Sequence, residues 1–367
     1  MDILNQLAVA LGFATLAGLN LYMTVFITGI SIRMDWVQLS SQYEQLSILG
    51  SDAVLVASGI FFALEFFSDK IPWVDSLWDG LHTLIRPIGG GLLAIQTLGT
   101  TDPAFDVIIG LLAGGTTLVS HSFKAGTRLI VNASPEPVTN VLVSTAENVA
   151  VAGGLALMAW NPLVAAVVFI AFLSFALYVT PRMFRRSKAF FWLLWNKLGA
   201  GFRRADASGE NRLYARLSSD DDLALAASLG GGLVEPLWTA PVLVAKAKGH
   251  RVISSCTFGK IVAVEESPGV VHFVGRRFWR SFHCPIPLEG LTITQEPRFL
   301  SEDVVLYSRD GGRKLVLKLH AGQRAYAQRI VEGLLELGNG AAARPVSAGK
   351  TERPTASLVE VEAEVVG

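Results

Sequence analysis

Two long stretches without a single charged residue constrain this chain more than anything else in it. Residues 3–32 contain no Asp, Glu, Lys or Arg, and neither do residues 148–181. A helix needs roughly 20 predominantly apolar residues to cross the hydrocarbon core of a bilayer. Both runs meet that length, so the N-terminal half predicts a multi-span membrane domain over 1–181. The chain is 51% hydrophobic and its mean hydropathy is +0.44, but the excess ends near residue 182. The start, "MDILNQLAVALG", lacks a basic region and a small-residue cleavage site. It reads as the first membrane helix, not as a signal peptide.

The pattern predicts six spans. They cover roughly 5–31, 48–67, 86–99, 104–120 with a polar extension, 137–160 and 162–180, the last ending before Pro181. The third is short and holds "PIGGG"; a tilted span continued from the preceding segment and a re-entrant piece both fit it. "WNP" at 160–162 supplies the turn between the fifth and sixth. After the sixth span, "PRMFRRSKAFFWLLWNKLGAGFRR" carries seven basic residues. The positive-inside rule puts that end in the cytoplasm. Six spans then put both termini there, with Lys70, Arg86, Lys124 and Arg128 on the cytoplasmic side and Arg33 outside. A five-span alternative with a re-entrant third segment puts the N-terminus outside. The expected location is the cytoplasmic membrane, with the lipid bilayer as the first partner.

The polar residues inside this apolar domain are patterned. In "WVDSLWDGLHTLIR", Asp75, Asp79, His82 and Arg86 recur every three or four positions and share one helical face. Trp73, Leu77, Leu81, Leu84 and Ile85 take the other, and Pro72 fits the helix start. In "HSFKAGTRLIVNASPEP", His121, Lys124, Arg128 and Asn132 share a face, before Ser134, Pro135, Glu136 and Pro137 interrupt the helix. The next helix carries Asn140, Ser144, Glu147 and Asn148. A charge deep in a span costs on the order of 2.5–3.5 kcal/mol on insertion scales, so it is normally paired or faces water. Arg128 and Lys124 are the expected partners of Glu147; Lys70, His82 or Arg86 are those of Glu65.

Together these residues predict a polar site on helices 2–5: Glu65, Asp75, Asp79, His82, Arg86, His121, Lys124, Arg128, Glu136, Asn140, Glu147 and Asn148. Three readings stay open for it. It is a water-filled site for an ion or small polar solute, a charge network that only pins helix packing, or a catalytic or metal site. Asp75, Asp79 and His82 are suitable ligand types, but their spacing is common on polar helices.

Helix 1 contains "AGLNLYMT" and helix 4 contains "AGTRLIVN", each followed one helix later by a glutamate, Glu65 and Glu147. With six spans, helices 1–3 and 4–6 run in opposite senses, the inverted repeat of many secondary transporters. Taken together, "DKIPWVDSLWDGLHTLIRP", "KAGTRLIVNASPEPVTN" and "AEN" resemble the bacterial membrane family called domain of unknown function 4126, over about residues 8–180. The resemblance implies a multi-span membrane protein and brings no activity with it. It also implies an arginine after the Gly-x pair of helix 1, where this chain has Asn20.

Residues 182–240 read as a basic amphipathic interfacial helix and linker, with Phe190, Phe191, Trp192 and Trp195 among the basic residues. Within it, "SSDDDLALAASLG" carries the acidic start of a short helix and "GGGLVEPLW" reads as loop. Residues 241–338 alternate as strands, with "SRDGGRK" as a hairpin turn. An amphipathic helix closes this stretch, its apolar side built from Ala325, Ile330, Val331, Leu334, Leu335 and Leu337. The pattern resembles a pleckstrin-homology-like barrel, in architecture and without a motif. Arg276, Arg277 and Arg280 offer a small basic cluster to anionic lipid, though a solvated hairpin is the simpler reading. A protein partner at this domain is the other expectation. From 339 onward the composition predicts a disordered tail.

Several classes are disfavoured. A formal net charge of zero argues against a nucleic-acid partner. Cys256 and Cys284 do not make a disulfide framework, and His283–Cys284 has no second pair at zinc spacing. Nucleophile-elbow, P-loop, dinucleotide and HExxH motifs are absent, so no cofactor is expected and enzymatic activity is the weaker expectation. Gly-rich faces at 113–115 and 152–154 permit helix–helix packing and an oligomer.

Overall fold

The structure, a computed structural model, describes residues 2–37, 39–71, 74–99, 103–132, 137–200, 213, 217–229, 235–250, 252–277 and 280–339. It divides into two compact units, Met1–Ser187 and Lys188–Gly367. The expected disordered tail beyond 339 lies outside the described residues, as do Pro72, Trp73 and Ser134–Glu136.

The first unit is helical. It contains α1 (Asp2–Arg33), a 3₁₀ helix (Ser41–Gly50), α2 (Asp52–Ser68), α3 (Val74–Leu98), α4 (Pro103–Asn132), α5 (Pro137–Trp160) and, up to Ser187, α6 (Pro162–Ala200). Among the described residues, four helices are long and apolar enough to cross a membrane: α1, α4, α5 and α6. The 3₁₀ helix and α2 together make a fifth candidate, bent by 64°. The proline starts of α4 and α5 fall where the sequence puts them, since a missing N–H costs nothing in a first turn.

α1 is the enclosed helix, packed by α2, α3, α4 and α5. Its hydrogen-bonded path breaks at Asn20, whose backbone lies at φ −152° and ψ 98°. The Asn20 side chain bridges the break. Its Oδ1 accepts from the Met23 amide at 2.9 Å, capping the second half of the helix, and its Nδ2 donates to Asn148 Oδ1 at 3.2 Å.

α3 is one unbroken helix of 25 residues that runs through Pro87; of the two readings of the third segment it takes the one continued from the preceding segment. It joins the amphipathic segment to the short third span. Its polar face is the inner one: Asp75, Asp79, His82 and Arg86 are buried, while Leu77, Leu81, Leu84 and Ile85 are exposed. That inversion suits lipid, where leucine loses nothing by facing outward and charge must face protein. Close approach to α4 is set by Gly90, which lies directly against the Thr117 side chain.

α6 departs from expectation. It does not stop before Pro181 but continues to Ala200. A proline inside a helix forfeits one backbone bond, and α6 runs on past Pro181 without it. The apolar face of Lys188–Ala200, expected at the bilayer surface, packs within the second unit. Ala189 and Leu193 cluster with Leu243, and Trp192 meets Phe258 edge-on at 5.4 Å.

The second unit adds α7 (Ser219–Leu229), seven strands and α8 (Arg324–Gly338). The strands are β1 (Pro236–Lys248), β2 (Thr257–Val264), β3 (Val270–Arg277), β4 (Arg280–Pro287), β5 (Leu291–Pro297), β6 (Ser301–Ser308) and β7 (Lys314–His320). They form one antiparallel sheet in the order β4-β3-β2-β1-β7-β6-β5. Among the described residues no pairing joins β4 to β5, so the expected barrel is an open sheet. The sequence missed β1, which starts before residue 241 and contains Pro236 and Pro241. Pro241 is tolerated because that part of β1 pairs with β2 alone; the β7 pairing begins at Leu243.

Alternation divides the faces. Ile261, Ala263 and Phe273 join Leu306, Leu315 and Leu317 beneath Ile330 and Leu334 of α8. Val262, Val264 and Val274 meet Leu225 of α7. His272 and His283 stack at 4.9 Å, with Nδ1 of His272 2.7 Å from Nε2 of His283. Burial, then the neighbouring ring, push the His272 pKa down to about 4. Arg276 is held by Asp220 at 2.8 Å with both side chains exposed; the Arg277 and Arg280 side chains lie outside the described residues.

Candidate functional site

Four helices carry ionisable groups into the interior of the first unit. The cations are Arg86, Lys124 and Arg128, whose side chains have no solvent exposure. The carboxylates are Glu65 and Asp69 at the end of α2, Asp75 and Asp79 on α3, and Glu147 on α5. Charges buried this way cost several kcal/mol each unless they meet one another in good geometry.

Arg86 reaches furthest. Its Nη2 donates to Glu65 Oε1 at 2.7 Å and lies 3.3 Å from Asp79 Oδ1. Its Nη1 donates to the Gly18 carbonyl at 3.1 Å, two residues before the break in α1, and meets His121 Nδ1 at 2.7 Å. A guanidinium only donates, so His121 Nδ1 accepts and its Nε2 carries the proton toward the Asp79 carbonyl at 3.1 Å. His121 is therefore a neutral ring. His82 places Nδ1 2.8 Å from the Trp78 carbonyl and Nε2 2.9 Å from the Tyr22 hydroxyl, which fits a neutral ring with the tyrosine donating.

Lys124 bridges Glu65 Oε1 at 2.8 Å and Asp69 Oδ2 at 3.1 Å, with Glu147 Oε2 at 3.9 Å. Arg128 donates Nη2 to Glu147 Oε2 at 2.6 Å and to Asp69 Oδ2 at 3.3 Å. Its Nη1 donates to Asn140 Oδ1 at 2.9 Å and to the Asp69 carbonyl at 3.0 Å. Asn132 donates to Asp75 Oδ1 at 2.7 Å. Glu147 marks where the cluster nears the surface: its side chain is 13% exposed, against 2% or less for the other charged members.

Ten of the twelve residues expected from sequence meet in this cluster. Asn148 sits beside it, bound to Asn20, and Glu136 lies outside the described residues. The expected Arg128–Glu147 and Arg86–Glu65 pairs form. Two expected partners of Glu65 do not. Lys70 folds back over the Phe66 ring at 3.1 Å, and His82 turns to Tyr22. Sequence reasoning missed Asp69, one position past the end of α2, and Tyr22, an apolar-run residue whose hydroxyl was the available signal. Among the described residues, no three His, Cys, Asp or Glu side chains are arranged to hold a metal ion.

The fold and cluster define a class: a helical domain of membrane type with a buried ionic core, followed by an antiparallel sheet unit. Residues 7–182 match the model of the family "Domain of unknown function (DUF4126)". No curated protein matches the chain. A solved structure of Vav1 inhibited by an allosteric inhibitor is similar at 9% identity, covering 86% of this chain and 77% of that one, with a TM-score of 0.22. A likeness that low carries no argument.

Proposed function

We propose that the first unit moves an ion or small polar solute across a membrane, with the buried ionic cluster as its site. The observation that carries this reading is the break in α1 at Asn20. It sits near the middle of the apolar segment Ile3–Arg33, beside Gly18, whose carbonyl meets Arg86. Discontinuous helices that turn backbone groups toward a polar centre are the usual construction of carrier sites. A helix serving only as a wall has no reason to give up backbone bonds in an apolar setting.

In this reading the chain is a multi-pass protein of the cytoplasmic membrane. Six spans and cytoplasmic termini follow from the lysine and arginine distribution. Glu65–Arg86 and Glu147–Arg128 are parallel pairs, each within reach of Lys124, which supports the inverted repeat. Asn20 occupies the repeat position of Arg128, and Arg86 gives Glu65 the cation that position lacks. The sheet unit is the regulatory part and takes a protein or anionic-lipid partner.

A second reading has its own observation. The charges contact one another directly, several at 2.6–2.8 Å, as in a scaffold pinned by ion pairs. Thiol labelling tests the first reading. Cys256 and Cys284 are replaced, and single cysteines are placed at Asn20, Asn148 and Glu147. A membrane-impermeant reagent is then applied from each side. Labelling from both sides supports transport. Inert positions in a folded protein overturn it, and tolerance of an exchanged Arg128→Glu, Glu147→Arg pair then marks the scaffold.

A further inference from the structure

The break at Asn20 also makes room for something apolar. Val9 and Ile32 stand 23 positions apart, about 35 Å along an unbroken helix. Yet both line one cavity of about 360 Å³, with Phe13 from the half of α1 before the break and Thr28 from the half after it. The two halves therefore lean together around this space. Their outer ends agree. The Gln6 side chain donates to the Gln42 carbonyl at 3.4 Å and Arg33 donates to the Gly50 carbonyl at 3.2 Å, both on the 3₁₀ helix.

α5 supplies another wall. Ala152, Ala156 and Ala159 recur at helical spacing and share one face. Their short side chains keep the space open, and Ala156 and Ala159 are exposed, so it opens out of the bundle. The ionic cluster lies elsewhere on the same helix: Glu147 precedes Ala156 by nine residues, about 13 Å.

The walls say what fits. Val9, Phe13, Ile32, Leu155 and Met158 offer ordered water too few partners. Left empty, such a space forfeits the dispersion contacts of its lining. One polar atom interrupts the apolar wall. Thr28 Oγ1 is buried and has no hydrogen-bond partner, a cost that an oxygen atom on an occupant removes. The same cavity touches Val37 and Pro162, flanked in sequence by Trp36 and Trp160, which are 74% and 75% exposed. Arg33 and Asp52 form an exposed ion pair at this end. Exposed tryptophans beside charge mark the level of lipid headgroups.

We propose that this cavity holds one acyl chain of a bilayer lipid, with an ester oxygen of that lipid accepting a hydrogen bond from the Thr28 hydroxyl. Such a lipid site stands with or without transport through the polar cluster.

Photo-crosslinking tests it. The full-length protein is placed in liposomes of phosphatidylethanolamine and phosphatidylglycerol, a fraction of which carries a diazirine in one acyl chain. After illumination the adducts are mapped by peptide mass spectrometry. They are expected to concentrate at residues 27–32 and 152–159, several-fold above those at Val167, Val168 and Ile170, exposed residues of α6. Ala156→Phe fills the cavity and should cut that excess several-fold, with the α6 adducts unchanged. Ala159→Leu serves as the filling variant if Ala156→Phe does not fold. Thr28→Val keeps the shape, removes the hydroxyl and should also lower the excess. No excess over α6 in the unaltered protein, or an excess that survives filling, overturns the lipid site. An excess unchanged in Thr28→Val overturns the ester contact.

Discussion

Arg86 on α3 and Glu65 at the end of α2 meet at 2.7 Å, and neither side chain touches solvent. Removing one member strands the other. Arg86→Met is expected to destabilise by about 3–5 kcal/mol, the usual cost of breaking a buried pair. Glu65→Gln should cost less, because Lys124 keeps Asp69 at 3.1 Å as a second partner. Thermal unfolding of the purified protein in micelles checks the order. Equal losses would mean the pair is not the unit that matters.

Asn20 both interrupts α1 and caps the half of that helix beyond the break. Asn20→Ala should lose about 1 kcal/mol, as a lost cap does. Asn148→Ala removes only the 3.2 Å contact and should cost less. Melting temperatures compared side by side test the ranking.

Gly90 and Gly115 make a matched contrast. A methyl group at Gly90 collides with the Thr117 side chain, whereas one at Gly115 meets nothing within 4 Å. Gly90→Ala should therefore cost about 1–3 kcal/mol through overpacking. Gly115→Ala should leave stability unchanged or slightly higher. The same unfolding assay reads both.

The second unit should weaken in acid. His272 has an ordinary pKa of 6.5 when unfolded and about 4 when folded. Between those values the unfolded chain binds the extra proton, so stability rises with pH across the window and is lost as pH falls through it. The effect is at most about 3 kcal/mol. The protection of β3 and β4 amides against hydrogen exchange, taken relative to the intrinsic rate at each pH, should fall from pH 6.5 down to about 4. In His272→Phe that fall should shrink to the part due to His283, whose pKa burial also lowers.

Periodicity made the charged face of α3 legible, because Asp75, Asp79, His82 and Arg86 must coincide on any helix. The start of α5 was legible for a local reason, proline at a first turn, and that of α4 from the "TTDP" that leads into it. The features that stayed hidden depend on distant neighbours. Nothing near Pro181 says that α6 continues, since a proline ordinarily ends or kinks a helix. β1 was hidden by Pro236 and Pro241, which are tolerated only because β7 pairs further along the strand. Asp69 was hidden because its partners, Lys124 and Arg128, lie more than fifty positions away. The choice of Tyr22 over Glu65 by His82 is of the same kind.

The inward-facing charge of α3 also bears on how the chain is made. At roughly 2.5–3.5 kcal/mol for each central charge, Asp75, Asp79 and Arg86 would keep α3 from entering lipid alone. Glu65 and Asp69 are synthesised before it, but they are acids and can neutralise only Arg86. The cations that answer the rest, Lys124 and Arg128, emerge with α4. If the first unit spans the bilayer as proposed, its biogenesis has a built-in order: α3 waits at the insertion machinery until α4 arrives, and the two enter the bilayer as a pair.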